Sequence, residues 1–105
     1  MSSHGAFDIG ELEEIIHGRV RLGIVSFLAS AGGADFTELR DRLKVSDGNL
    51  SEHIRKLEEA GYLSIKKSFA ARRPRTHVRL TPQGRDAFLR YLDAMRKLIE
   101  AQSAA

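Results

Sequence analysis

Six cationic side chains lie within fourteen residues of the chain, and no acidic residue lies between them. They are Lys66, Lys67, Arg72, Arg73, Arg75 and Arg79. Such dense positive charge fits contact with a polyanion, because each neutralised phosphate releases condensed counterions. A solvated basic loop that keeps the protein soluble would have the same composition. Charge alone therefore indicates two possibilities, a nucleic-acid contact or a plain basic surface.

A predicted helix just before this segment carries side chains that could read DNA bases. Ser46 is a good N-cap, and Gly61 favours the left-handed backbone that ends a helix. At about 100° per residue, Leu50, Ile54 and Leu57 share the side that faces the core. The outward side and its two edges hold Gly48, Asn49, Ser51, Glu52, Arg55, Lys56 and Glu59. Asn pairs well with adenine, Arg with guanine and Glu with cytosine, each discriminating by about 1–3 kcal/mol.

The same helix also fits a plain surface role. Glu52 is spaced to pair with Lys56, and Arg55 is spaced to pair with Glu58 or Glu59, as on any solvated helix. Residues 47–61 hold two basic and four acidic side chains, so the helix itself does not attract DNA. We therefore expect the basic segment to supply most of the affinity and the helix to supply selectivity.

Other chemistry finds little support in the residue pattern. The chain has no Cys, which excludes disulfides, thiolate metal sites and a cysteine nucleophile. Ser51 and His53 are two residues apart on a helix and diverge by about 200°, so they cannot form a nucleophile and base pair. The four histidines fall on different elements and make no preformed ligand pair: His4, His17, His53 and His77. We predict no enzyme activity, no metal and no cofactor.

Length and periodicity place these residues on a single small domain spanning residues 1–105. The first half reads as an amphipathic helix over residues 7–17, a second helix over 19–30 that ends at Gly32 and Gly33, and an extended piece over 34–36. Thr37 is expected to cap a two-turn helix that runs to Lys44. Two short helices joined by a tight turn form a helix-turn-helix over residues 37–61, preceded by N-terminal helices over residues 8–31.

From Tyr62 onward the apolar period changes from helical to two, which predicts a hairpin over residues 62–81 with a basic tip at 70–75. Thr81 and Pro82 then start a last helix over residues 82–102. The predicted fold class is α+β, mostly helical, with a helix-turn-helix followed by a two-stranded hairpin and a long C-terminal helix.

The ordered motifs resemble single-domain winged-helix transcriptional regulators of the MarR/ArsR-like group. The motifs are HGRVRLGIV at 17–25, VSDGNLS at 45–51, LEEAGY at 57–62, RRPRT at 72–76 and LTPQGR at 80–85. The resemblance implies a winged helix-turn-helix with a two-stranded wing and a long C-terminal dimerisation helix. It implies a dimeric DNA-binding regulator whose helix from Ser46 enters the major groove and whose hairpin is the wing. It also implies that Thr37 faces a phosphate. Metal-sensing relatives of the ArsR type carry cysteines that this chain lacks.

Together, the helical angles and the resemblance predict one DNA contact set. It consists of Thr37, Ser46, Asn49, Ser51, Glu52, Arg55, Lys56, Arg72, Arg73 and Arg75. The predicted function is a sequence-specific regulator of transcription that binds double-stranded DNA, acting as a repressor. The alternative is a winged helix that binds an acidic protein partner through its basic tip.

The apolar stripes of the first and last helices predict a symmetric homodimer. The expected interface comprises Leu12, Ile16, Phe88, Tyr91, Leu92, Met95, Leu98 and Ile99. The same stripe could instead only cover the winged domain. No apolar run approaches the roughly 20 residues of a membrane span, so we expect a cytoplasmic protein without a membrane partner. The sequence does not identify a small-molecule effector.

Overall fold

The computed structural model describes residues 10 and 12–103, which form helices and a small sheet. The elements within that range are α1 (Arg19–Ala31), β1 (Gly33–Asp35), α2 (Phe36–Leu43), α3 (Asp47–Glu59), β2 (Leu63–Ala70), β3 (Arg73–Leu80) and α4 (Pro82–Ser103). The predicted class, a mostly helical α+β winged helix-turn-helix with a long last helix, is confirmed.

The N-terminal helix predicted over residues 7–17 lies partly outside the described residues, and the part that can be compared is wrong. Residues 12–18 contain a single turn, in which the backbone N–H groups of Ile16 and His17 donate to the carbonyl of Glu13 at 3.1 and 2.7 Å. Ile16 is completely buried in the core. The apolar spacing that suggested a helix therefore reflects a segment that folds against the core.

The helix-turn-helix begins one residue earlier than expected. α2 starts at Phe36 with Asp35 as its N-cap residue, so Thr37 is not the cap and lies exposed in the first turn. α3 starts as predicted, because the Ser46 hydroxyl accepts a hydrogen bond from the Asn49 backbone N–H at 3.2 Å. Gly61 has φ +85° just beyond α3, which is the left-handed conformation expected there.

The wing is a hairpin with a shorter loop than predicted. β2 and β3 stay paired out to Ala70 and Arg73, which leaves a two-residue turn of Ala71 and Arg72. Both turn residues have positive φ, 51° and 67°, the backbone that matches the twist of a tight hairpin. The expected basic tip at 70–75 is thus mostly strand, and Arg73 and Arg75 belong to β3.

A third strand joins the hairpin to the helix-turn-helix. The sheet order is β1-β3-β2, all antiparallel, with Ala34 of β1 opposite Val78 of β3. The predicted extended piece after α1 therefore holds the start of α2 against the wing. The core lies behind this sheet and is formed by buried side chains that include Ile24, Leu28, Leu39, Leu50, Leu57, Val78 and Tyr91.

The start of α4 is fixed against the base of the wing. The Thr81 hydroxyl donates to the Gly61 carbonyl at 2.7 Å and accepts from the Gly84 backbone N–H at 2.9 Å. Pro82 is the first residue of α4, as the Thr-Pro pair predicts. A side chain at Gly84 would collide with the carbonyl of Tyr62, so glycine is required where α4 packs against the segment between α3 and β2.

Candidate nucleic-acid interface

The outward side of α3 presents polar side chains to solvent. Asn49, Ser51, Glu52 and Arg55 are exposed, while Leu50, Ile54 and Leu57 on the other side are buried. A Cβ placed on Gly48 would meet no atom within 4 Å. The first turns of α3 are therefore open to an approaching ligand, as a helix that enters the major groove must be.

The cations of α3 are paired with acids on the same helix. Arg55 Nη1 lies 2.9 Å from Glu59 Oε2, and Lys56 Nζ lies 3.7 Å from Glu52 Oε2. These are the ion pairs that a plain surface helix would also form. Exposed pairs of this kind contribute only about 0.3–0.5 kcal/mol each, so a phosphate or a base edge can replace the acid as partner.

Four cations of the wing lack such partners. In the part of the chain that the structure describes, Lys66, Lys67, Arg72 and Arg73 form no ion pair. All four are exposed. The wing therefore offers uncompensated positive charge that can pair with phosphates without breaking an existing contact.

Arg75 differs from the other wing cations because it is held by an acid. Its Nε donates to both carboxylate oxygens of Asp35, at 3.0 and 2.9 Å. His77 Nδ1 donates to Asp35 Oδ1 at 2.8 Å. These bonds, first from His77 and then from Arg75, lower the pKa of Asp35 below its ordinary value of 3.8. Asp35 thus ties the start of α2 to β3, and its carboxylate cannot cap α2.

The same cluster brings two predicted contact residues together. Thr37 and Arg75 line one shallow depression of about 160 Å³ with Asp35, Pro74 and Thr76. A hydroxyl and a guanidinium side by side at the first turn of a helix suit a phosphate oxygen. The structure therefore places Thr37 at the edge of the wing, where a phosphate contact would join the two elements.

The strand register divides the wing into two faces. Residues opposite each other in antiparallel strands share a face, so Lys67 lies on the same face as Ile65, while Arg73 and Arg75 lie on the other face with Lys66. The first of these faces is turned toward α3. Predicted wing contacts are therefore spread over both faces instead of meeting at one tip.

An open groove of about 360 Å³ separates α3 from this inner face of the wing. Ser51 and Arg55 of α3 line one wall, and Lys67 lines the other. Lys67 is missing from the predicted contact set. Its position was readable from the sequence, because it shares the parity of the apolar residues Leu63 and Ile65 on β2.

The parts of a winged-helix DNA interface are present together. They are the exposed start of α3, the unpaired cations of the wing and the groove between them. Residues 20–99 match the family model described as a winged helix DNA-binding domain. The chain belongs to this family. The resemblance to winged-helix regulators is thereby confirmed, and the protein is a DNA-binding transcriptional regulator and not an enzyme.

Relatives of this winged helix include archaeal proteins of similar length. It is 37% identical over 79 residues to an uncharacterized protein of Methanocaldococcus jannaschii, a match that covers 75% of this chain and 86% of that protein. It is 36% identical to the transcriptional regulator homologue protein of Pyrococcus horikoshii OT3, whose structure it matches with TM-score 0.81 over 86% of this chain and 89% of that chain.

The winged helix also shares its fold with a MarR-family regulator from Silicibacter pomeroyi. That match has TM-score 0.63 and 20% identity, and it covers 84% of this chain and 58% of that chain. Identity at this level supports the fold alone.

The predicted dimer residues fall into buried, half-buried and exposed ones. Ile16, Phe88 and Tyr91 are buried within the single chain, so their side chains pack in the core and are not available to a partner. Leu12, Met95 and Leu98 are half-buried. Leu92 and Ile99 are 45% and 61% exposed, and Leu89, which was not in the predicted set, is 56% exposed. The sequence stripe thus combined two neighbouring faces of α4.

Two histidines of the winged helix contact side chains on other elements. His17 Nδ1 lies 2.8 Å from the Tyr91 hydroxyl, and His53 Nδ1 lies 3.4 Å from Arg21 Nη1. Burial, followed by the charge of Arg21, lowers the pKa of His53 below its ordinary 6.5. Within residues 10 and 12–103, no three potential metal ligands converge and no helix has the length and hydrophobicity to cross a bilayer.

Proposed function

We propose that this regulator binds specific sites in double-stranded DNA as a homodimer and represses transcription by occupying promoters. The observation that carries the proposal is the groove between α3 and the wing, where Ser51 and Arg55 face the unpaired Lys67. A groove with a polar reading helix on one wall and free cations on the other suits a duplex, which offers base edges beside phosphates.

The two walls have different parts in this proposal. Side chains on the first turns of α3 read base edges in the major groove: Asn49, Ser51, Glu52 and Arg55. The wing cations and Thr37 contact phosphates, or the adjacent minor groove, without distinguishing sequences. Ser46 supports the reading helix by capping it, since its hydroxyl is already bonded to the Asn49 N–H. Lys56 contacts a phosphate at the edge of the helix.

Exposed apolar side chains on α4 support the homodimer. Leu89, Leu92 and Ile99 lie near one another on the surface of that helix, where a second copy would cover them. A two-fold dimer sets its two reading helices about 34 Å apart, one turn of duplex, and would bind a pseudo-palindromic site. A dimer bound to a site inside a promoter would exclude polymerase from it, which is why we favour repression.

Sedimentation velocity tests the dimer directly. The double variant Leu92→Asp with Ile99→Asp is expected to sediment as a monomer, since it places charges on the apolar surface that the partner would cover. Lys97→Asp, on the opposite side of α4, is the control and is expected to remain a dimer. A wild-type chain that sediments as a monomer at all concentrations would contradict this part of the proposal.

A salt titration tests DNA binding itself. A dimer that makes about 6–10 phosphate contacts should lose affinity for duplex with a log-log slope between about −5 and −9. A weak, nearly salt-independent response to duplex would favour the alternative, an acidic protein partner. Fragments selected from genomic DNA by binding would then identify the site, and transcription in vitro from such a fragment should fall when the protein is added.

A further inference from the structure

A large apolar side chain is exposed at the outer end of the wing. Phe69 is 77% exposed, more than any other large hydrophobic residue in the described part of the chain. Pro74 lies directly opposite it in the strand register and is also exposed. Neither residue contributes to the core. A ring in this position leaves apolar surface in water that a bound partner would cover.

The register places Phe69 on the side of the wing that faces α3. It has the same parity as Ile65, which is half-buried against α3, and Lys67, which lines the groove. At about 3.3 Å per residue, Phe69 lies roughly 13 Å beyond Ile65 along the strand. The ring therefore projects past the body of the domain, on the side where the reading helix is exposed.

Cations lie on both sides of this ring along the hairpin. Lys67 is two residues before it on the same face, Arg72 occupies the hairpin turn, and Arg73 begins the return strand on the other face. None of the three forms an ion pair within the described residues. This charge complements a polyanion, whereas a second copy of the chain would bring the same cations against one another. Of the possible occupants, duplex DNA fits the charge best.

We infer that Phe69 is an apolar wedge that enters the minor groove of bound DNA and partly unstacks one base-pair step. The inference rests on the proposed function. Apolar side chains at such positions, Phe among them, kink the duplex while neighbouring cations hold the phosphates. Pyrimidine-purine steps unstack most easily. Phe69 therefore adds a preference for a TA or CA step beside the bases that α3 reads, without a hydrogen bond to that step.

The chain has no tryptophan, so Phe69→Trp introduces a single fluorophore at the wedge. The probe is a short duplex with one TA step beside the selected site. On saturation with this duplex, quenching of the fluorophore by acrylamide is expected to fall several-fold. Gln102→Trp places the same fluorophore on the exposed end of α4. Its quenching should not change when duplex is added.

Affinities separate the wedge from the phosphate contacts. Phe69→Ala is expected to weaken binding to the TA duplex about tenfold, and Phe69→Leu should restore most of the loss because it remains apolar. The log-log salt slope should be the same for all three proteins, since no phosphate contact is removed. Arg72→Ala, in contrast, should change the slope. Replacing the TA step with AA should weaken the wild type and leave Phe69→Ala nearly unaffected.

Two results would overturn the wedge. The fluorophore at position 69 could stay fully accessible in the complex, or Phe69→Ala could bind the TA duplex as tightly as the wild type. If, in the second case, Phe69→Ala also abolished self-association, a second copy would be the occupant. If the wild type binds duplex but Phe69→Ala binds equally well, only the wedge is lost. If the wild type itself fails to bind duplex, the proposed function falls with it.

Discussion

The wing and α3 both carry cations beside a shared groove, but they hold these charges differently. On α3, Arg55 and Lys56 are each paired with a glutamate one turn away. On the outer wing, Arg72 and Arg73 have no acidic partner among the described residues. Free cations attract every phosphate alike, whereas paired cations gain little from an approaching phosphate unless it offers a better geometry than the glutamate does.

This difference suggests how affinity and selectivity are separated in one small domain. A helix that attracted DNA strongly by charge would bind all sequences, and its reading side chains would then decide little. With four acids against two bases, α3 carries a net negative charge and depends on base contacts. Arg75 is intermediate, because Asp35 holds its Nε and fixes the direction of the guanidinium. The wing thus combines free cations with one that an acid on β1 holds in position.

Removing the free charge of the wing should have the largest effect. Arg72→Ala combined with Arg73→Ala removes four cations from a dimer, and it should weaken binding to every duplex by roughly 3 kcal/mol at low salt. The magnitude of the log-log salt slope should fall by about 0.9 for each phosphate that the variant no longer neutralises. Fluorescence anisotropy with selected and scrambled duplexes at several salt concentrations measures both quantities.

A matched charge change on α4 provides the control for the wing variant. Arg90→Ala with Lys97→Ala also removes two cations from each chain, on an exposed surface remote from the groove. It should leave the salt slope unchanged. If both double variants lowered affinity equally, net charge alone would explain the binding, and the distinction between wing and helix would disappear.

Changing the reading side of α3 should have a smaller and sequence-dependent effect. Arg55→Gln or Asn49→Ala should weaken binding to the selected site by about 1–2 kcal/mol and barely change binding to a scrambled duplex. The physical reason is that a side chain that reads a base matters only where the matching base is present. Competition between the two duplexes measures the ratio. A uniform loss of affinity on both duplexes would mean that α3 contacts phosphates and not bases.

Local signals in the sequence were sufficient to predict most elements. The Ser46 cap, the left-handed Gly61 and the Thr81-Pro82 start of α4 each act within a few residues, so composition and spacing reveal them. The angular assignment of α3 succeeded for the same reason, since a helix of this length fixes which side chains share a side. These features established the fold class before any tertiary contact was known.

Features that depend on distant residues could not be predicted in this way. Asp35 and Arg75 are forty residues apart, and only the pairing of β1 with β3 brings them together. A three-residue strand is too short for its residue pattern to predict such a pairing. The prediction for the N-terminal segment was wrong for a similar reason. Ile16 is buried by residues of the core, and the turn that carries it is not a helix. The apolar stripe of α4 could not reveal which of its residues the single chain already covers.

Releasing a paired cation on α3 should sharpen the comparison by a small amount. Glu59→Gln frees Arg55 and should strengthen binding to the selected site by about 0.3–0.5 kcal/mol, the value of an exposed ion pair. Glu100→Gln is a close control, since Glu100 pairs with Arg96 at the same spacing and both glutamates are 63% exposed. It should have no effect on DNA binding. Equal gains from the two variants would assign the effect to net charge.

The smallest expected effect concerns the pH dependence of stability. It again distinguishes α3 from the wing and the strand β1 that pairs with it. The pKa of His53 on α3 lies below its ordinary 6.5 because the residue is partly buried beside Arg21. The unfolded chain therefore binds a proton more readily, and stability should decline slightly as the pH falls below about 6.5. Asp35 also has a lowered pKa, below 3.8, so its contribution is present above that value and is lost only in stronger acid.

Urea unfolding at several pH values separates the two groups. His53→Gln should remove the decline between about pH 7 and pH 5 and leave the acid limb intact, whereas Asp35→Asn should do the reverse. The control in each single variant is the pH range that the substitution should not affect, where stability should follow the same course as in the wild type. If Asp35→Asn flattened the upper range as well, the decline could not be assigned to His53 alone, because Asp35 is itself bonded to a second histidine, His77. The separation of α3 from the wing would then apply to DNA contacts alone.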